Sequence, residues 1–569
     1  MNDYRRQSPR KKIHYFDWRF RFMLLIIALI FSALIGRMVY LMVVERAFLQ
    51  QQGDARAIRV VNTPAYRGMI TDRNGQPLAV SSPVDTIWIN PKDFQATPTQ
   101  LANLAQIVNI PLARIQASLQ YNKKREFMYV KRQVQPSVSE QVAALKIKGL
   151  YLRHEFKRYY PESEITAHVV GFTNIDGQGQ EGMELADNKS LAGQNGSEKV
   201  VKDRLGNIIE VIDTMQAPKP GKNLQLSINM RIQYLAYRYL KAAVTKFDAQ
   251  AGSIVVLDTK TNEVLAMANA PSYNPNYRPA DTDGRYRNRA VTDVFEPGST
   301  MKPFTVALAL ESGKYQPDTM IKTGNGVTKI AGHIVRDTSA HGTITVSDVL
   351  KYSSNIGISK IMLSLPQQSL WNLLNEMGLG MPTQSGFPGE VGGVLPFHRE
   401  WNPFVLATFS FGYALSVTTL QLAHAYSILA NYGVDKPISL VKLKHAPQGK
   451  QLISTKAAKE VIQMMETVVE PGGTATRAHV KGYWVAGKTG TSRMVGVHGY
   501  EWNHHNAVFA GLAPASHPRL VIVVYIHDPR KITYYGGTVA APVFAKVMAG
   551  ALRILNISPD HLPGKLQPT

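Results

Sequence analysis

Phe295-Glu296-Pro297-Gly298-Ser299-Thr300-Met301-Lys302-Pro303 reads as a tight turn feeding a helix. Pro297-Gly298 punctuates the chain, and Pro303 falls in the first helical turn, where its missing N–H costs little. The apolar run Phe304, Val306, Ala307, Leu308, Leu310 continues until Gly313 stops it. Ser299 is thereby expected at a helix N-terminus, the positive end of the dipole. Lys302 follows three residues on, on the same face. A serine one turn from a lysine is a nucleophile beside a candidate base. The short pattern is weak by itself, since Ser8–Lys11 in a basic tail and Ser439–Lys442 near Pro437 match it too.

Partners downstream separate Ser299 from those matches. They are Ser353-Ser354-Asn355 and Lys488-Thr489-Gly490-Thr491. Ser227-Ile228-Asn229 and Lys322-Thr323-Gly324 also fit the second and third patterns, but they stand ahead of the motifs they would have to follow. Ser-x-x-Lys, Ser-Asp-Asn and Lys-Thr-Gly, in that order, are the signature of penicillin-binding proteins and class A β-lactamases.

The chemistry these residue types permit is acyl transfer. An alcohol needs a base near neutral pH. A lysine serves only if burial or a second cation depresses its pKa, and Lys488 is a candidate for that cation. Ser353 can pass a proton between Lys302 and a leaving amine, and Asn355 can orient Lys302 and hold substrate backbone. Lys488–Thr491 on a sheet edge can bind an extended peptide as an added strand, with Gly490 leaving room for close approach. Thr489 and Thr491 can bind a terminal carboxylate. The N–H groups of Ser299 and Thr491 would form the oxyanion hole.

Around these motifs the pattern implies an α+β domain. Met230 to Phe247 reads as an amphipathic helix, and Gly252–Leu257 and Val264–Ala268 flank the hairpin signal Asp258–Asn262. Trp484–Gly490, Ala507–Gly511 and Leu520–Tyr525 read as three more strands, with a last helix over about Pro542–Leu555. Strands at both ends and helical patterns between them imply one antiparallel sheet beside a helical lobe. This domain is placed at 222–555, ahead of a Pro-rich tail at 556–569.

Residues 1–21 are basic, and Phe22 to Val44 is apolar apart from Ser32, Gly36, Arg37 and Tyr40. About 20 apolar residues span a bilayer. Basic residues before the span place the N-terminus in the cytoplasm and the rest outside. The stretch is too long for the apolar core of a cleaved signal, so 22–44 reads as a retained anchor. Arg37 either snorkels to the outer interface or meets a partner helix. Residues 45–221 alternate short β-like runs with turns such as Asn74-Gly75, and read as a β-rich pedestal held by buried Arg/Asp pairs. Pro218–Gly221 is its linker.

Composition narrows the function classes. The absence of cysteine excludes disulfides and thiolate metal sites. A net charge of +23 without any nucleic-acid motif points to an anionic lipid surface or wall polymer, not to nucleic acid. His498, Glu501, His504 and His505 match no metal spacing and read as a polar surface loop. His154-Glu155 begins a zincin pattern that Arg158 breaks. Asp337, His333 and His341 invite a Ser–His–Asp reading, but Lys302 already supplies a base in a better-defined setting. No metal and no cofactor are expected.

The chain resembles the class B penicillin-binding proteins, specifically their division-type branch, from the anchor to about Leu555. Beyond the three motifs, the resemblance rests on Arg67–Gly75, Asn288–Asp293, Phe411-Gly412-Tyr413, Pro471–Ala475 and Tyr534–Gly537. Phe295-Glu296 before the serine motif favours the division branch over the elongation branch, the runner-up. Ser492 is one departure, where many relatives have alanine. The resemblance implies a penicilloyl-serine transferase fold preceded by a dimerisation-type pedestal and one membrane helix. It implies D,D-transpeptidation of peptidoglycan stem peptides at Ser299, acylation of that serine by β-lactams, and placement in the inner membrane at the septum. An FtsW-type glycosyltransferase and other divisome proteins are the implied partners. A β-lactamase or carboxypeptidase, a β-lactam sensor and a catalytically silent scaffold are the rival classes. Against the first stand the anchor, the large extra domain and the lack of a Glu-x-x-Leu-Asn element.

Overall fold

A computed structural model of the chain describes residues 17–202, 208–278, 284–397, 399–496 and 499–561. Most of the basic tail, Gly206-Asn207, His498 and the residues from 562 onward lie outside them. The fold is mixed α+β, and the chain divides into two compact units that do not follow it in simple order. One comprises 1–64, 86–153 and 195–218, the other 65–85, 154–194 and 219–569.

The first unit opens with helix α1 (Asp17–Val43), none of whose residues is buried. It is the one helix among the described residues long and apolar enough to cross a membrane. At ~1.5 Å per residue it reaches about 40 Å. Near its end the Arg37 guanidinium lies over Tyr40 (5.2 Å) and reaches Glu45 (3.8 Å). Further on, Ile58–Thr63, Gly196–Lys202 and Ile208–Gln216 form a three-stranded antiparallel sheet. The unit also holds helices that a strand-and-turn reading of this segment passes over. Pro98–Val108 is started by a Thr97/Gln100 capping box with Pro98 in its first turn. It packs with Leu112–Tyr121 and Pro136–Ala144 around Leu104, Val108, Ile115 and Val142.

In the second unit, the pedestal residues 65–85 and 154–194 are stapled by charge. Glu184 is wholly buried and takes Arg67 Nε at 2.7 Å and Arg158 Nε at 2.6 Å. A buried carboxylate with two guanidinium partners is compensated, and the acid here is a glutamate rather than an aspartate. Asp72 shapes the Asn74-Gly75 turn, accepting from Asn74 N and Gln76 N. Its other oxygen accepts from Met230 N, the first residue of helix α2 (Met230–Lys246).

The core of this unit is a five-stranded antiparallel sheet. In chain order its strands are β1 (Ala251–Asp258), β2 (Val264–Ala270), β3 (Ala486–Gly496), β4 (Gly499–Ala513) and β5 (Leu520–His527). Their spatial order is β2-β1-β5-β4-β3. Two sequence-distant strand groups thus join through the β1–β5 pairing, with Ile254 opposite Val524. β1, β2 and most of β5 are buried on both faces. That is why they read as unbroken apolar runs and not as alternating ones. α2 and the last helix pack on one face. Helices α3 (Lys302–Glu311), α4 (Asn355–Leu363) and α5 (Thr419–Ala430) build the lobe, and α6 (Ala541–Ile554) ends the fold. β3 is an edge strand, which leaves one row of its backbone groups unpaired within the sheet.

Candidate active site

Ser299 sits in a 3₁₀ turn, Gly298–Met301, that runs directly into α3. Gly298 has φ +54°, a left-handed value glycine takes without cost. The turn is fixed from three sides. Gly298 N donates to Gly412 O at 3.1 Å. A Cβ on Gly412 would meet Gly298 O at 2.1 Å, so this close approach needs glycine. Ser492 Oγ on β3 donates to Glu296 O at 2.8 Å, so the serine at this position ties the edge strand to the nucleophile turn. Gly490 lets the same two segments close up, because a Cβ there would meet Pro297 O at 2.7 Å. The room it leaves is therefore taken by the nucleophile turn, a different reason from close approach of substrate.

Lys302 is wholly buried and donates to three acceptors. These are Ser353 O at 2.5 Å, Ser353 Oγ at 3.1 Å and Asn355 Oδ1 at 2.8 Å. Burial, and then the charge of Lys488, hold Lys302 well below the usual lysine value, with Asp337 pulling the other way. Lys488 is also wholly buried, and burial brings it down to about 7. Two cations removed from water near one another are each easier to deprotonate.

Ser353 joins two helices, Val346–Lys351 and α4, with φ +61°. A serine held there stores strain of about 1–3 kcal/mol, and the conformation turns both its carbonyl and its hydroxyl onto Lys302. Asp337 holds the joint. Its carboxylate accepts from Ser354 Oγ (2.6 Å), Asn355 N (2.6 Å) and Ile356 N (3.0 Å), donors at the α4 N-terminus that the helix itself leaves without a partner. His333 stacks on Phe404 and His341 on Tyr352. Asp337 is thus occupied by the α4 terminus, and these three residues do not assemble a Ser–His–Asp relay.

Ser299, Ser353, Asn355, Thr489 and Thr491 line one cleft of about 960 Å³. Thr491 Oγ1 accepts from Gly536 N at 3.1 Å and keeps its own proton to donate. Thr489 and Thr474 share a hydroxyl contact of 3.1 Å. The far wall is aromatic and includes Tyr413, Tyr500, Tyr534 and Tyr535. Tyr500 donates to Glu296 Oε1 (3.0 Å), and burial raises Glu296 above the usual carboxylate value. Tyr413, Tyr534 and Tyr535 stand in stretches that carry the family resemblance, with no role attached; no periodic signal marks a cleft wall assembled from separate segments.

The histidines near the third motif belong to a strand. β3 and β4 extend past the core as a long hairpin carrying Glu501, His504 and His505. His504 pairs with Asp528 (2.9 Å), and His505 stacks on Tyr534 at 3.8 Å, in the cleft wall. The motif look-alikes are structural. Asn229 caps α2, Ser227 Oγ donates to Val264 O, and Lys322 O accepts from Lys360.

An antiparallel sheet with a serine turn, two buried lysines and an open edge strand is an acyl-transfer architecture. The chain belongs to the penicillin-binding protein family: the penicillin binding protein transpeptidase domain matches residues 252–549. The penicillin-binding protein dimerisation domain matches residues 62–226, which makes the chain a class B member. It is 43% identical to the peptidoglycan D,D-transpeptidase FtsI of Escherichia coli K12, over 98% of this chain and 95% of that one. It is 43% identical to the probable peptidoglycan D,D-transpeptidase PbpC of Pseudomonas aeruginosa, over 96% of this chain and 97% of that one. The apo transpeptidase domain of Burkholderia pseudomallei penicillin-binding protein 3 is 41% identical with a TM-score of 0.55, covering 59% of this chain and 98% of that one.

Proposed function

We propose that the protein is a septal peptidoglycan D,D-transpeptidase that works through an acyl ester on Ser299. The observation that carries this is the buried Lys302, bonded to Ser353 and Asn355 and depressed by burial and by Lys488.

An ammonium fills three acceptors, and the three around Lys302 match it. When Lys302 loses a proton, its two remaining N–H groups stay on Ser353 O and Asn355 Oδ1, and its one lone pair is free to accept from Ser299. Lys302 then takes the proton of Ser299 as the serine oxygen attacks the carbonyl of the penultimate D-Ala. The N–H groups of Ser299 and Thr491 hold the oxyanion. The donor strand lies along the open edge of β3, its terminal carboxylate on Thr489 and Thr491. Lys302 and Ser353 return the proton to the departing D-Ala amine. By microscopic reversibility, an amine from a neighbouring stem enters at the same position and resolves the ester. β-Lactams acylate Ser299 but keep their leaving group tethered there, which blocks that entry.

In this reading the chemistry lies at the outer face of the inner membrane, with the N-terminus cytoplasmic; the apolar helix α1 and the basic residues ahead of it support that setting. The glycan substrate comes from an FtsW-type glycosyltransferase within the divisome. Support for this setting is the class B architecture and the resemblance to the division branch.

A fluorescent penicillin tests the reading. Ser299→Ala is expected to lose all covalent label while keeping the wild-type melting temperature. On the wild type, the label is expected to persist after free penicillin is removed. Among the described residues lining the cleft there is no aspartate or glutamate to activate a water. Label on the alanine variant would move the nucleophile to another residue, and loss within seconds with release of penicilloate would replace the transpeptidase reading by a hydrolase one.

A further inference from the structure

A second cavity of about 580 Å³ opens where α2, α6 and the segment after β5 converge. Its floor is apolar: Ala243, Phe247, Val539 and Val543 are buried. Its rim is cationic, with Lys246, Arg477 and Lys546 exposed. No acidic residue is among the described residues that line it. Lys546 Nζ lies 5.4 Å from the Tyr239 ring centre and Lys246 Nζ 5.4 Å from that of Phe247. These cations rest on π faces, a weak attraction at an exposed site, and leave the field at the cavity mouth positive.

The wall nearest the active site is a strap, residues 530–539. One end is pinned where Arg530 N and Lys531 N both donate to Phe247 O at 2.9 Å. The other is pinned where Gly536 N donates to Thr491 Oγ1. Between them Ile532 has φ +71°, and Thr533 N donates across it to Lys531 O at 2.8 Å. This is the positive-φ γ-turn, rare and strained, and for a β-branched residue a marked outlier. The same isoleucine is 74% exposed at the cavity lip. Strain and exposed apolar surface thus coincide on one residue of the wall. Thr538, further along the strap, lines both this cavity and the Ser299 cleft.

We propose that this cavity binds a small amphipathic anion, an acidic head on an alkyl or aryl body, and that its occupation regulates acylation of Ser299 through the strap. The volume suits a small ligand, the rim selects negative charge, and the floor and Ile532 take the apolar body. Ordering Ile532 against the ligand changes the strap that positions Gly536 beside Thr491. The regulatory half rests on the transpeptidase reading of the cleft; the binding half does not.

The probe is 4-benzoylbenzoate, an aryl carboxylate that crosslinks under ultraviolet light, applied to the full chain in lipid nanodiscs. Saturable labelling is expected on peptides spanning Tyr239–Phe247 or Ile532–Lys546, and it should persist when Ser299 already carries penicillin. The uncharged methyl ester should label there only weakly, and the double variant Arg477→Glu/Lys546→Glu should need about tenfold more probe. In the dark, saturating probe should change the rate of fluorescent-penicillin acylation, and Ile532→Gly, which removes the strain, should abolish that change. Diffuse labelling, equal labelling by the ester, or an unaffected double variant would overturn the site. Correct labelling with an unchanged acylation rate would overturn the regulation and leave the cleft's own assignment untouched.

Discussion

Lys302 is where opposing forces meet, and burial with Lys488 prevails. Three acceptors favour its charge, while burial and Lys488 oppose it. Arginine at this position stays protonated near neutral pH and cannot act as a base. Lys302→Arg is therefore expected to slow penicillin acylation by ~100- to 10,000-fold, measured by stopped-flow with the fluorescent probe. A variant that keeps more than about a tenth of the wild-type rate would assign the base elsewhere. Lys488 makes a different prediction. Its folded-state value is about 7 against an ordinary 10.5. Between those pH values the unfolded chain binds the extra proton, so stability rises with pH across that window, by at most ~1.4 kcal/mol per unit. Below about pH 7 both states are protonated and this contribution is flat. Melting curves of wild type and Lys488→Met from pH 7 to 10 should diverge in slope, the wild type gaining more. Parallel slopes would show that Lys488 is not desolvated in the folded protein.

At the scale of elements, the N-terminus of α4 decides the geometry of Ser353 and Asn355. Asp337 satisfies two backbone donors there and the Ser354 hydroxyl. Asp337→Ala should cost about 0.5–2 kcal/mol, the range for a lost cap. It should also slow acylation while Ser299 remains the labelled residue. An unchanged rate would mean that α4 holds the motif without this anchor. None of this is legible in the sequence. There Asp337 invites a relay reading, because a carboxylate 16 residues before a motif carries no local sign of which helix end it will cap. What is legible has local physics behind it. The strands flanking the lobe are long apolar runs bounded by turn residues, the helix α2 has a clear amphipathic period, and Pro297-Gly298 marks the nucleophile turn. The left-handed Ser353 and the Arg67–Glu184–Arg158 staple come from long-range contacts, which no window of sequence contains.

For the whole molecule, chain order and compact order diverge: 65–85 and 154–194 belong to the unit that holds the transpeptidase domain, 86–153 to the one that holds α1. Interleaving of this kind is set by burial of Glu184 and Asp72 against distant partners, and a boundary read from Pro218–Gly221 cannot reveal it. The apolar helix α1, by contrast, is written in composition, and its orientation in a membrane is the remaining prediction. Arg5, Arg6, Arg10, Lys11 and Lys12 precede the span, whereas Glu45 and Arg46 follow it with opposite signs. Positive charge close to a first span is retained on the cytoplasmic side. Each transferred Arg or Lys would meet a cost of ~2.5–3.5 kcal/mol at the membrane centre. α1 should therefore insert with the tail inside and Ser299 outside, where peptidoglycan is. A periplasm-active reporter fused after Thr569 should be active, and a cytoplasm-active one silent. Replacing the five basic residues by glutamine should weaken that bias and yield a mixed population. A cytoplasmic reporter active in the unaltered chain would invert the topology and separate the cleft from its proposed substrate.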